Sequence, residues 1–181
     1  GEEVHPDDLA PRVYLDSRRG SLQAEMLAAT RRQDLLPYLH EPRFSTIIEQ
    51  LDAGQPVLVL QNLALDSFPT WHYAVVVGYD LAEETVILRS GTTEREVMSF
   101  RRFERTWQRG DYWAVTVHEP HALPAHASER RYLAAAAALE QVGELDAAGR
   151  AFHTASVVWP ESLGAWIGRG NISYHAEDYA S

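Results

Sequence analysis

The residue best placed for proton chemistry is His72. It opens the run Trp71-His72-Tyr73-Ala74-Val75-Val76-Val77-Gly78-Tyr79-Asp80. This run is rich in β-branched and aromatic residues and closes on Gly-Tyr-Asp turn chemistry, so it reads as a strand. Side chains alternate on a strand, which puts His72, Ala74, Val76 and Gly78 on one face and Tyr73, Val75, Val77 and Tyr79 on the other. Both faces are apolar, as expected of a strand in the middle of a sheet. His72 stands at its entrance, beside a loop carrying Gln61, Asn62 and Trp71. An imidazole there can act as a general base, with those three residues lining a cleft. A lone histidine at such a place is more often structural, its ring nitrogens meeting backbone groups.

Other groups with chemical potential are weaker. The sequence has no cysteine, which removes disulfides and thiolate metal sites. His118, His121 and His126 lie close to Glu119, but their spacing matches no familiar ligand set, and no metal or cofactor is expected. Arg101, Arg102, Arg105 and Arg109 form a local basic stretch that reads as a solvated helix face rather than a phosphate site. Trp107 and Trp113, with Trp71, could line a groove, although aromatic residues in such elements more often fill a core. There is no Gly-rich phosphate loop and no serine nucleophile elbow.

These groups need a scaffold, and composition supplies one. The 181 residues are 45% hydrophobic, enough for a core. With 16 basic against 26 acidic residues the formal charge is −10, which argues against nucleic-acid binding and against attraction to anionic lipid. No apolar run approaches the roughly 18 residues of a membrane span.

Ser21 and the run to Arg32 predict a helix, and Phe44 to Ala53 a second, with Ile47, Ile48 and Leu51 on one face and Gly54 after its end. The period then changes. Pro56 to Gln61, Trp71 to Asp80, Thr85 to Leu88, Glu94 to Met98 and Tyr112 to Val117 predict strands. Ser99 caps a short helix that runs to Trp107. Short turns between successive strands imply an α+β domain over 1–118 with a mainly antiparallel sheet. Two prolines and little apolar patterning mark 119–128 as a linker.

From Glu129 the pattern is helical and repeats. Tyr132 and Trp166 are 34 residues apart, as are Ala136 and Gly170. A helix–turn–helix period of 34 resembles the tetratricopeptide repeat. Ala148, Phe152, Ala155 and Pro160 stand where that repeat places its small residue, its aromatic, its second small residue and its proline. The resemblance implies an all-α repeat segment over 129–181, its second copy truncated. Tyr132 and Trp166 would serve in its groove or packing, and the segment would bind a protein or peptide partner.

The segment from Pro56 to Asp80, followed by Thr85 to Gly91, resembles the papain-like cysteine peptidases that process bacteriocin leaders, together with their stand-alone bacterial relatives. There a Gly-x-Pro-Val strand, here Gly54-Gln55-Pro56-Val57, precedes a strand that opens on His-aromatic, here His72-Tyr73. The resemblance spans residues 1–118 and rests on about 40 of them. It implies a papain-like fold, peptide-bond hydrolysis and a general-base role for His72. It also implies a bacterial source, with export or a cell-envelope location. The chain departs from the family where the chemistry is most exacting. The nucleophile cysteine is absent, so these residues by themselves are expected to be inactive, and the helix that would carry it is expected before Gly1. Where the family orients its histidine with Asp or Asn, this chain has Ser90, which can accept a hydrogen bond but carries no charge. Asn62 or Asp80 could substitute for it. A peptidase-fold scaffold that binds without catalysis is the competing expectation.

Overall fold

The structure is a computed structural model and describes residues 23–64 and 67–175. Ser21, expected to cap the first helix, lies outside them. The chain divides into two compact units. One comprises residues Tyr38–Thr116 and Pro124–His126, and the other takes in 23–37, 117–123 and 127–175 of the described residues.

Mixed α and β elements alternate through the first two thirds of the chain. They are α1 (Gln23–Arg31), β1 (Leu36–Leu39), α2 (Phe44–Asp52), β2 (Val57–Asn62), β3 (Trp71–Asp80), β4 (Thr85–Ser90), β5 (Thr93–Ser99), α3 (Phe100–Gln108) and β6 (Ala114–His118). The strands form one six-stranded sheet in the order β1-β6-β2-β3-β4-β5. Its β2–β3, β3–β4, β4–β5 and β2–β6 pairings are antiparallel. The strand that opens on His72 is therefore interior, in keeping with its two apolar faces. β1 was not foreseen. It is four residues long and contains Pro37, which cannot donate to a ladder and so suits the sheet edge that it occupies. The other edge, β5, carries Glu94, Arg95 and Glu96, charges that discourage edge-to-edge pairing.

One face of the sheet is the core. Val57 and Val59 of β2, Ala74 and Val76 of β3, Val86 and Leu88 of β4 and Ala114 of β6 pack with Ile47 of α2 and with Phe103 and Trp107 of α3. Phe103 and Trp107 are fully buried and stack at 5.7 Å, and Tyr112 meets the indole edge-on at 5.0 Å. Burying a large side chain of this kind stabilises by about 1.5–3 kcal/mol. Ser99 takes the N-cap position of α3 with extended backbone, although its hydroxyl makes no capping bond.

After α3 the chain turns sharply through Asp111 and Tyr112, both at φ +53. Gly110 is required there, because a Cβ would lie 2.1 Å from the carbonyl oxygen of Leu60. The turn delivers Trp113, whose carbonyl accepts from Leu60 N at 3.2 Å and from Trp107 Nε1 at 3.0 Å.

The last three elements are helices: α4 (Glu129–Gln141), α5 (Leu145–Val158) and α6 (Leu163–His175). Small residues line their contacts. Ala135, Ala136, Ala147, Ala148, Ala151, Ala155 and Ala165 are buried, which lets the helix axes approach closely. Gly143, at φ +88, turns α4 into α5. Ser162 Oγ accepts from Ala165 N at 3.2 Å and caps α6. Among the described residues no helix is long and apolar enough to cross a membrane.

Candidate active site

The sheet register brings His72 and Ser90 together. His72 faces Gln61 across the β2–β3 ladder, and Ser90 faces Ala74 across β3–β4. Alternation then sets Gln61, His72 and Ser90 on the same face as the core residues Val59, Ala74 and Leu88, one step further along each strand. The apolar stripe thus ends in a polar row. His72 Nε2 lies 2.8 Å from Ser90 Oγ. Among the described residues the ring makes no other hydrogen bond, which leaves Nδ1 available to a second group. His72 is half-buried, so the imidazole is held on one side and accessible on the other.

Gln61 is buried. Its Nε2 donates to Thr106 Oγ1 at 2.6 Å and contacts Met98 Sδ at 3.9 Å, and the Thr106 hydroxyl in turn donates to Phe103 O at 2.9 Å. This chain of bonds ties the strand beside His72 to the inner face of α3. Asn62 is also buried. Its Oδ1 accepts from Ala64 N at 3.1 Å and from Thr70 N at 2.9 Å, closing the base of the β2–β3 connection. Both amides are engaged inside the protein, so they brace the approach to His72 rather than line an open cleft. Trp71 differs, being 56% exposed beside His72. Tyr73 turns to the opposite face and meets Trp113 edge-on at 5.7 Å, where burial pushes its phenol above the usual range.

Sequence reasoning missed two supports of this site. Thr106 could have been found from its place between Phe103 and Trp107 on the buried stripe of α3, where a hydroxyl needs a partner. Arg109, read as part of a solvated basic face, donates from Nη1 to Ala64 O at 2.6 Å and anchors the same connection. No spacing rule signals that contact, because it joins residues 45 apart. Ser90, rather than Asn62 or Asp80, is the residue that meets the imidazole. Asn62 Oδ1 is taken up by the β2–β3 connection, and Asp80 Oδ1 accepts from Ala82 N and Glu83 N in the β3–β4 turn.

In the helical unit Tyr132 is fully buried. Its hydroxyl donates to Pro120 O at 2.6 Å, and its ring lies 5.8 Å from that of Trp159. Burial pushes its phenol up to about 12. Trp166 is 50% exposed, donates from Nε1 to Pro160 O at 2.8 Å and carries the Arg169 guanidinium over its ring at 4.9 Å. Tyr132 is thus a packing residue, while Trp166 keeps one face in solvent.

The mixed α and β elements with a six-stranded antiparallel sheet fit a C39-like peptidase domain. The Peptidase_C39 like family matches residues 27–121, more than half of the chain, and the chain belongs to that family. A solved structure described as a C39-like peptidase from Bacillus anthracis is similar at 20% identity with a TM-score of 0.45. The similarity covers 54% of this chain and 59% of that one. No curated protein matches the chain.

Proposed function

We propose that the chain is the base-bearing part of a C39-like cysteine peptidase domain over 1–118, joined through 119–128 to tetratricopeptide-like helices over 129–181 that bind a protein or peptide. The observation that carries this reading is the His72–Ser90 hydrogen bond at 2.8 Å, set at the end of the core face in a chain of this family. In such a site His72 takes the proton of a thiol, and the resulting imidazolium keeps the sulfur as thiolate, the form that attacks a peptide carbonyl. Ser90 fixes the ring so that one nitrogen faces the nucleophile. The 181 residues contain no cysteine, so a thiol for this chemistry would have to come from elsewhere, and the absence is consistent with these residues being inactive by themselves. The repeat reading is supported by α4 and α6, whose first and last residues are each 34 apart, and by the small residues lining the helix contacts.

A second reading is a peptidase-fold scaffold that binds without catalysis. It is favoured by the absent cysteine and by a neutral hydroxyl where a charged or amide partner is expected. The full-length gene product, treated with a thiol-alkylating peptide probe beside its His72→Ala variant, separates the two. Labelling that depends on His72 supports the peptidase. Labelling that is absent or indifferent to His72 removes the peptidase and leaves the scaffold.

A further inference from the structure

Helix α3 is two-sided. Phe103, Thr106 and Trp107 are buried against the sheet, whereas Arg101, Arg102 and Arg105 point outward and are exposed. Arg101 and Arg105 are four residues apart and Arg102 and Arg105 three apart, so the three guanidinium groups form one ridge. Among the described residues no carboxylate or carbonyl is paired with any of these three side chains. Like charges at this spacing destabilise a helix by about 0.2–0.5 kcal/mol per pair, a cost only partly offset by the place of Arg105 in the last turn. Glu104 forms no ion pair with them. The ridge is also out of character with a protein of net charge −10.

We infer that this arginine ridge docks a short acidic segment of a partner polypeptide. The rise between Arg101 and Arg105 is about 6 Å at 1.5 Å per residue. Alternate side chains on an extended peptide are spaced by about 6.8 Å. Two carboxylates on one face of an extended acidic peptide therefore match the two guanidinium groups, each able to take a carboxylate in a forked, two-bond geometry. Arg102 supplies a third contact. A nucleic acid fits less well, because its charge continues along the whole backbone and would run from the short ridge onto an acidic surface. This inference does not depend on the peptidase reading.

The test is fluorescence anisotropy of a labelled peptide alternating glutamate with glycine, titrated with the whole chain at low salt. Three exposed pairs contribute little each, so affinity should fall about tenfold in the R101Q/R102Q/R105Q variant. Raising the salt should weaken wild-type binding in the same direction. A variant with Arg32→Gln, Arg130→Gln and Arg150→Gln removes the same charge from other exposed positions and should bind within about twofold of wild type. Circular dichroism checks that each variant is folded, and if the triple variant is not, R105Q alone should still lose affinity. Equal loss in the control variant, absence of saturable binding, or tighter binding of a single-stranded oligonucleotide through the same arginines would each overturn the inference.

Discussion

Two glycines on α6 should respond to alanine with opposite signs. Alanine raises helix propensity by about 0.5–1 kcal/mol relative to glycine, so in empty space either substitution stabilises. At Gly170 there is empty space, with no heavy atom within 4 Å of an added Cβ. Its counterpart 34 residues earlier is Ala136, fully buried in α4 without difficulty. At Gly168 a Cβ would stand 2.3 Å from Phe152 Cδ1 and Cε1 and 2.6 Å from Cγ, more than 1 Å inside contact distance. Phe152 is 3% exposed and surrounded by packed alanines, so the ring can yield only by moving the α5–α6 contact. Overpacking of this kind costs about 1–3 kcal/mol. With ring atoms met at 2.3 Å the upper part of that range, about 2–3 kcal/mol, applies, so after the propensity gain Gly168→Ala should destabilise by about 1–2.5 kcal/mol while Gly170→Ala stabilises by about 0.5–1 kcal/mol. Urea unfolding followed by far-UV circular dichroism reads both as shifts in midpoint at constant slope. Adding Phe152→Leu to Gly168→Ala should give less than the sum of the two losses, because the ring is the obstacle. If Gly168→Ala stabilises as much as Gly170→Ala, the close α5–α6 packing described above is wrong.

Gly110→Ala should destabilise the sheet unit by more than about 2 kcal/mol, since the obstacle is the Leu60 carbonyl and backbone cannot rotate aside as a side chain can; thermal unfolding against wild type tests it. Tyr132 predicts a loss of stability in alkali. Its folded phenol, at about 12, is raised above the usual value near 10. The unfolded chain therefore releases a proton that the folded chain keeps, and stability present below pH ~10 falls by at most about 3 kcal/mol as the pH rises to ~12. Urea midpoints measured from pH 9 upward should show this slope in wild type and a shallower one in Tyr132→Phe.

Much of the sheet was legible because its signals are local. Gly54-Gln55-Pro56 and Asp80–Glu84 punctuate strands whose residues alternate or are uniformly apolar, and β2 to β5 fall within a residue or two of where those signals place them. β1 was not legible. Four residues with a proline carry too little periodicity, and their strand character comes from a neighbour more than 70 residues away, as in His40 N donating to Ala114 O. The same limit applied at the site. Alternation could place His72 on the core face, but it could not show that Gln61 and Asn62 turn their amides inward. That depends on Thr106 and on the backbone of Ala64 and Thr70, which sequence spacing does not connect to them. Polar residues at a strand end look alike in sequence whether they line a cleft or brace a loop, and only their partners distinguish the two.

The arrangement around His72 separates two things that a catalytic base needs, orientation and charge. Orientation comes from the sheet. The β2–β3 register sets His72 beside Gln61, Gln61 is bonded to α3, and Ser90 meets Nε2 at 2.8 Å from the next strand. Each of these contacts is rooted in a residue whose neighbours two positions away are fully or nearly fully buried, Val59, Ala74 and Leu88, so the backbone that carries the ring is anchored in the core. Charge is where the site is sparing. A serine hydroxyl can accept from a protonated ring, but it opposes the positive charge only as a dipole, whereas a carboxylate opposes it with a full unit. A thiolate facing Nδ1 would supply that missing counter-charge, because thiolate and imidazolium stabilise each other. On the proposed reading, a thiol facing Nδ1 is therefore the group that would complete the site.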